Sequence, residues 1–269
     1  MSVFRYHFNH PRFLFFYQLS LIGLFALFFT GCEDIPRDNP LDPRNPNSIR
    51  EHKVLVEAFV NTSNPFNYNE VALEALDSLV SYNSEQMIIV EYHRNSRDYS
   101  DPYHLPENDA LYQSYLSIYG GISGMPDVFF DVQGARVQGA STVANSFRRF
   151  SNALSGLLNQ NSEYALEIHY EKNGNLIRPK ITLAKLGTTD GQDLQIRAIL
   201  IAQIDNSFLK RVVRDYSSLT VATLPHGRYD SFNLPGLTIR EPQQPHALVA
   251  VVSDRSGLVI YQSEIQLIQ

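Results

Sequence analysis

One segment of the chain brings histidines and acids close together in sequence. It contains His93 and His104 together with Glu91, Asp98 and Asp101. Imidazole and carboxylate groups bind zinc and other transition metals, so the segment is a candidate for metal-assisted chemistry. Two histidines at this separation match no known metal motif, and a polar loop without a metal is the other interpretation.

The sequence lacks the common signatures of hydrolysis and nucleotide binding. It contains no Gly-x-Ser-x-Gly, no His-Glu-x-x-His and no glycine-rich phosphate loop. The histidines His52, His169, His226 and His246 are scattered without recognised spacing. The sequence therefore indicates no catalytic residue, no bound metal and no cofactor.

A second polar segment lies between an apolar run and a predicted helix. It consists of Asn64, Pro65, Phe66 and Asn67. Free backbone amides at the start of a helix attract anions and carbonyl oxygens, which would make this a binding loop. Simple capping of the helix by asparagine is the alternative.

The only cysteine, Cys32, indicates where the protein is located. Residues 1–31 contain Arg5 and Arg12, no acidic residue and long apolar stretches, as a secretory signal peptide does. The sequence Thr30-Gly31-Cys32 is typical of a bacterial lipoprotein that is cleaved before the cysteine and acylated on its sulfur. Several acyl chains hold a protein stably on a membrane. An uncleaved membrane anchor is the alternative.

The region after the signal peptide is polar and acidic. Residues 32–52 are rich in Pro, Asn and Asp and cannot form a core, which predicts a lipidated tether. Loss of Arg5 and Arg12 with the signal peptide changes the net charge from −6 to −8. Nucleic acid is therefore not an expected partner, because phosphate binding requires a concentrated basic surface.

Residues 53–160 are predicted to form an α/β domain with a mixed sheet. Apolar runs indicate buried strands, and apolar residues at helical spacing indicate amphipathic helices, with Asn69 as a cap of the first. The predicted elements, in chain order, are a strand at 53–60, a helix at 70–82, a strand at 86–92, a helix at 107–119, a hairpin at 127–131 and 135–137, and a helix at 142–160.

Residues 161–269 are predicted to form an all-β domain. Apolar and polar residues alternate from Tyr164 to Glu171, and Asn173-Gly174 predicts a tight turn. Further strands are predicted at 176–186, 192–205, 218–224, 245–253 and 257–267. This succession of strands without a long helix indicates an immunoglobulin-like β-sandwich.

Residues 53–269 resemble the thioredoxin-like outer-membrane lipoproteins of Gram-negative bacteria. Members of that family join a lipid anchor, a thioredoxin-like domain and a C-terminal β-sandwich. The resemblance rests on the segments 54–59, 91–93, 124–131 and 212–216. It implies a cis peptide bond between Met125 and Pro126 and a groove beside it that holds an extended peptide.

The resemblance also places Asn64 and Asn67 where the redox members of the family carry two cysteines. Asparagine forms neither a thiolate nor a disulfide, so thiol–disulfide oxidoreductase activity is not expected. The residue six positions before Asn64, where thioredoxins have a buried acid, is Ala58, although Glu57 is adjacent to it.

The function predicted from the sequence is therefore non-catalytic. We expect a binding or assembly protein of the cell envelope, held on a membrane by its lipid and in contact with an extended peptide or an envelope protein. The outer membrane is favoured by the resemblance. The alternative is a thiol-independent or metal-assisted enzyme that uses the loop around His93 and His104.

Overall fold

The computed structural model describes residue 42, residues 50–205 and residues 208–269. The predicted signal peptide, Cys32 and most of the predicted tether lie outside the described residues. No helix in the described ranges is long and apolar enough to cross a membrane.

The first half of the described chain alternates strands and helices. Its elements are β1 (Arg50–Glu51), β2 (Val54–Val60), α1 (Tyr68–Asn83), β3 (Met87–His93), α2 (Pro106–Tyr119), β4 (Asp127–Phe130), β5 (Ala135–Gln138) and α3 (Val143–Ser155).

The second half consists of strands. These are β6 (Asn161–Ser162), β7 (Tyr164–Asn173), β8 (Leu176–Lys185), β9 (Gly191–Ala202), β10 (Val212–Leu224), β11 (Arg228–Asn233), β12 (Leu237–Thr238), β13 (His246–Asp254) and β14 (Ile260–Ile268).

Eight strands from both halves form one mixed sheet, in the order β14-β13-β9-β10-β3-β2-β4-β5. Strands β2 and β3 are parallel, and β4 runs antiparallel to β2 with Phe59 opposite Asp127. Strand β10 joins β3 in parallel through the pair Val212 and Glu91. The sheet thus continues past residue 161, where the sequence predicts a change from an α/β domain to an all-β domain.

A second, smaller antiparallel sheet contains β7, β8, β11 and β12. Its residues Ile168 and Ile181 share a buried cluster with Ile196 and Leu200 of the large sheet. In the described residues, the fold is therefore a mixed sheet with three helices and a separate small antiparallel sheet.

Helices cover both faces of the first half of the large sheet. Every residue of β2 is buried. Leu55 packs on one face in a cluster with Tyr112 and Tyr115 of α2, and Val56 packs on the other in a cluster with α1 and α3. A strand that is buried on both faces has a nearly continuous apolar sequence. For this reason β2 could be predicted well from the sequence.

The largest differences from the predicted elements concern α3, β10 and β11. Helix α3 ends at Ser155 rather than at residue 160, with Gly156 as its C-terminal cap. Strand β10 begins at Val212, six residues earlier than expected, because its first residues pair with β9 and β3. Strand β11 was not predicted: most of its residues are exposed, so its sequence has no apolar alternation.

Candidate functional site

Three loops meet at one edge of the large sheet. Because β2 and β3 are parallel and β4 is antiparallel to β2, the ends of β2 and β3 and the start of β4 lie at the same edge. The loops there comprise residues 61–67, 94–105 and 120–126. We call this region the loop edge, and it contains most residues that the sequence indicated as functional.

The 61–67 loop is fixed at its base and exposed at its tip. The Thr62 amide and hydroxyl both donate hydrogen bonds to Asp101, at 2.8 and 3.1 Å. The Asn64 side chain accepts a hydrogen bond from the backbone amide of Phe66 at 3.0 Å, which stabilises a local turn. Pro65, Phe66 and Asn67 are exposed.

The cap of the following helix differs from the prediction. Helix α1 begins at Tyr68, and Asn67 is its N-terminal cap without a side-chain hydrogen bond. Asn69, the predicted cap, is instead buried in the first turn and accepts a hydrogen bond from the Asn61 amide at 3.2 Å. The prediction was wrong because the helix starts two residues earlier than its apolar pattern indicates.

Two aromatic side chains lie exposed at the start of α1. Phe66 is 60% exposed and Tyr68 is 48% exposed. Their rings are stacked, with centroids 6.0 Å apart and an interplanar angle of 20°. Large apolar side chains in this exposed arrangement are typical of an interaction surface.

The Met125–Pro126 peptide bond is cis, as predicted. The Pro126 carbonyl accepts a hydrogen bond from the Gly139 amide at 2.7 Å. Met125 is half-buried, and within the described residues its own N–H and C=O have no hydrogen-bond partner. A backbone donor and acceptor are therefore free beside the first residue of β4.

The loop that leads to Pro126 is held by a buried carboxylate. Asp127 accepts hydrogen bonds from Arg136 and from the Tyr112 hydroxyl, each at 2.7 Å. Arg136 also donates to the Ile122 carbonyl at 3.0 Å, and the Gly124 amide donates to the Tyr112 hydroxyl at 3.1 Å. The hydrogen bond with Asp127 raises the pKa of Arg136 above its usual value. These contacts fix the backbone at Ile122 and Gly124, while the Ile122 side chain is 84% exposed.

His93 forms a buried pair with Asp101. Its Nδ1 lies 3.0 Å from both carboxylate oxygens, and both side chains are fully buried. Burial opposes ionisation of Asp101, but hydrogen bonds from His93, Tyr103 and Thr62 outweigh it and lower the pKa of the carboxyl group. Asp101 thereby joins the loop after β3 to the loop after β2, which is a structural role.

His104 belongs to a different pair. Its Nε2 lies 2.9 Å from Asp109, which also binds Arg94 at 2.7 Å. Asp98 is exposed and takes part in neither pair. Across the described ranges, no group of three or more His, Cys, Asp or Glu residues is placed to hold a metal ion. Of the candidate ligands, the structure thus pairs His93 with Asp101 but places His104 in a different pair.

A buried ionic cluster centres on Glu57. Arg197 donates to its Oε1 at 2.7 Å, and the Tyr92 and Tyr115 hydroxyls donate to its carboxylate at 3.1 and 2.8 Å. Burial raises the pKa of both tyrosines well above the usual value. This cluster could not be predicted from local sequence patterns, because Arg197 lies 140 positions from Glu57.

The comparisons with known proteins show similarity of fold. No protein-family model and no curated protein matches the sequence. The structure is similar to that of HBP35 of Porphyromonas gingivalis, with a TM-score of 0.58 and 11% identity over 80% of this chain and 75% of that one.

It is also similar to protein AGR_C_4864 of Agrobacterium tumefaciens, with a TM-score of 0.50 and 19% identity over 81% of this chain and 95% of that one. At these identities the similarity concerns the fold alone. With a single cysteine, the chain has no pair of sulfurs for redox chemistry. The chain therefore has a fold similar to that of these two proteins, and it contains no pair of cysteines.

Proposed function

We propose that this protein binds an extended polypeptide segment at the loop edge, without catalysis. The observation that carries the proposal is the free backbone N–H and C=O of Met125, beside the cis bond and the start of β4. An extended chain pairs with such groups by adding a short strand to a sheet. The loop that carries them is already fixed by Asp127, so little ordering accompanies binding.

The exposed aromatic pair Phe66 and Tyr68 supports the same proposal. Backbone pairing supplies affinity for any extended chain, whereas contacts with side chains supply selectivity. A stacked, exposed aromatic pair favours a partner segment with apolar or aromatic side chains.

Photo-crosslinking from the loop edge tests this proposal. A photoreactive phenylalanine is placed at Phe66 in the full chain, with Tyr229 as the matched control. The two positions are 60% and 62% exposed, but Tyr229 lies on β11, outside the loop edge. We expect discrete adducts from position 66 that are lost when Met125→Arg is added. Equal adducts from both positions, or adducts unaffected by Met125→Arg, would contradict the proposal.

We further propose that the protein is a lipoprotein of the bacterial cell envelope, with the outer membrane favoured. The signal-like residues 1–31 and the Thr30-Gly31-Cys32 sequence support this location.

In this proposal, residues 53–160 are a thioredoxin-like domain and residues 161–269 an immunoglobulin-like sandwich that shares the large sheet. Labelling of cells with a palmitate analogue should mark the wild-type chain and not Cys32→Ser. Labelling of both variants would contradict lipidation at Cys32.

A further inference from the structure

A separate cleft lies at the opposite end of the strands from the loop edge. It has a volume of about 670 Å³ and is bordered by His52, Asp131, the 157–164 segment, Lys185 and Tyr261. These residues come from both halves of the described chain. Clefts of this size at the junction of two substructures are typical of small-molecule sites.

A buried ammonium group borders this cleft. The Lys185 side chain is 2% exposed, and its Nζ lies 2.5 Å from Glu163, whose side chain is 61% exposed. Nζ also lies 5.0 Å from the centroid of the Tyr164 ring. Among the described residues, Glu163 is the only hydrogen-bond acceptor of this three-donor group. The Lys185 ammonium group can therefore donate further hydrogen bonds, and the Glu163 carboxylate beside it is exposed.

The Tyr164 hydroxyl is a second donor without a protein partner. Tyr164 is only 7% exposed, yet no described residue forms a hydrogen bond with its hydroxyl. Burial raises the pKa of this tyrosine to about 12, so the hydroxyl keeps its proton at neutral pH. The hydroxyl oxygen is not fully enclosed, so a ligand in the cleft can form a hydrogen bond with it.

Two glycines allow these polar groups to approach the backbone closely. A Cβ at Gly187 would lie 2.5 Å from the Glu163 carboxyl group and 2.7 Å from Lys185 Nζ. A Cβ at Gly191 would lie 2.9 Å from the Tyr164 hydroxyl. Neither glycine has a positive φ, so space rather than backbone conformation favours glycine at both positions.

The charges in the cleft are paired. Lys185 pairs with Glu163, His52 lies 2.6 Å from Asp131, and Asp190 lies 2.9 Å from His226, which is outside the cleft lining. A charged ligand that is attracted to one group of such a pair would therefore be repelled by the other group of the same pair. A hydroxyl group, which donates and accepts, matches a donor and an acceptor that lie side by side.

We propose that this cleft binds a neutral polyhydroxylated ligand, a mono- or oligosaccharide. Its neighbouring hydroxyl groups accept hydrogen bonds from Lys185 and Tyr164 and donate to Glu163.

Ligand-observed NMR with the purified full chain tests the proposal. The probes are glucose, galactose and N-acetylglucosamine, with acetate and glucuronate as anionic probes. We expect saturation transfer to at least one neutral sugar. The Tyr164→Phe variant should weaken its binding by about tenfold, as loss of one hydrogen bond does. The Gly191→Ala variant should weaken it further by filling the space at the hydroxyl.

Tyr82→Phe, which removes the hydroxyl of a side chain that is 78% exposed on α1 and does not border the cleft, should leave binding unchanged. Tyr164→Phe removes a hydroxyl without a protein partner, so its melting temperature should equal that of the wild type. Binding of no neutral sugar, binding of the anionic probes alone, or equal binding by wild type and Tyr164→Phe would overturn the proposal.

Discussion

Asn64 and Asn67 carry no thiol for redox chemistry. Asn64 closes the local turn with its side-chain oxygen, which is a common role of asparagine. Asn67 is the N-terminal cap of α1 but forms no side-chain hydrogen bond there. The side chain of Asn64 thus has a structural role, and neither asparagine can exchange disulfides.

Glu91 is a buried acid in an unusual environment. Its Oε1 lies 3.5 Å from Arg211, and its Oε2 has no partner in the described chain. Arg211 is also bound by Asp77 at 2.7 Å. Burial raises the pKa of Glu91 from 4.5 to about 8, against the attraction of Arg211. Folding therefore favours the protonated form of this side chain.

Stability should consequently depend on pH through Glu91. The pKa of Glu91 is higher in the folded state than in the unfolded state. Its contribution to the free energy of unfolding is therefore complete below about pH 4.5 and is lost as the pH rises to about 8. Glu91→Gln, which stays neutral, should remove this loss. We expect the free energy of unfolding of Glu91→Gln, relative to wild type, to rise on the order of 3 kcal/mol between pH 5 and pH 8.

Urea unfolding at the two pH values measures this difference. Glu264→Gln is the matched control, because Glu264 forms a partly exposed pair with Lys53. The difference in free energy of unfolding between Glu264→Gln and wild type should change little between pH 5 and pH 8. A constant difference between Glu91→Gln and wild type at both pH values would show that Glu91 is ionised throughout.

At the scale of elements, burial decides how well the sequence predicts the structure. Strands β2 and β3 and helices α1 and α2 were predicted to within about two residues, because their apolar patterns are continuous or periodic. Strand β11 gave no such signal. The parallel pairing of β3 with β10 through Glu91 and Val212 was not predictable from local patterns, since it depends on distant partners.

The candidate site was predictable to a similar degree. The sequence indicated Asn64, Asn67 and the cis bond at Pro126, because these lie in contiguous motifs. It gave no signal for the free backbone groups of Met125 or for the partners of Glu57, because hydrogen bonding over long separations is a property of the folded chain. Arg197 in particular lies in a strand that the sequence assigned to another domain.

The Glu57–Arg197 pair joins elements of the two halves, β2 and β9. Removal of one partner leaves a buried charge without compensation, which typically costs about 3–5 kcal/mol. We therefore expect Arg197→Met to lower the free energy of unfolding by about that amount. The Glu57→Gln/Arg197→Met double variant should be more stable than Arg197→Met alone, because it removes the isolated charge.

Urea unfolding of the wild type, both single variants and the double variant measures the coupling between the two residues. Arg255→Met is a suitable control, because Arg255 forms an exposed, long contact with Asp193 at 3.7 Å. If the losses of unfolding free energy in the two single variants add up to the loss in the double variant, the two side chains stabilise the protein independently.

For the whole molecule, the large sheet joins the two halves of the described chain. The ends of β2 and β3 and the start of β4 form the loop edge, and β3 also pairs with β10. Neither feature involves a cysteine. Strand pairing and packing therefore hold the described part of the fold together without a disulfide bond.

We predict that a disulfide bond can be introduced into this fold at the positions of Asn64 and Asn67. In a Cys32→Ser background, Asn64→Cys/Asn67→Cys should form an intramolecular disulfide, because both positions lie in the loop just before α1 with the spacing of a Cys-x-x-Cys pair. Reduction of insulin by this variant should exceed that by the parent, but remain at least about tenfold below that of a thioredoxin. The reason is that Glu57 is already held by Arg197 and two tyrosines, so no free buried acid assists proton transfer.

Thiol titration after mild oxidation and an insulin-reduction assay measure the two parts of this prediction. Asn64→Cys alone in the same background is the control, since one cysteine forms no internal disulfide. If the double variant keeps two free thiols under oxidising conditions, the 61–67 loop does not have the geometry of a redox loop. The whole-molecule comparison with thioredoxin-fold proteins would then hold for the sheet but not for the loop edge.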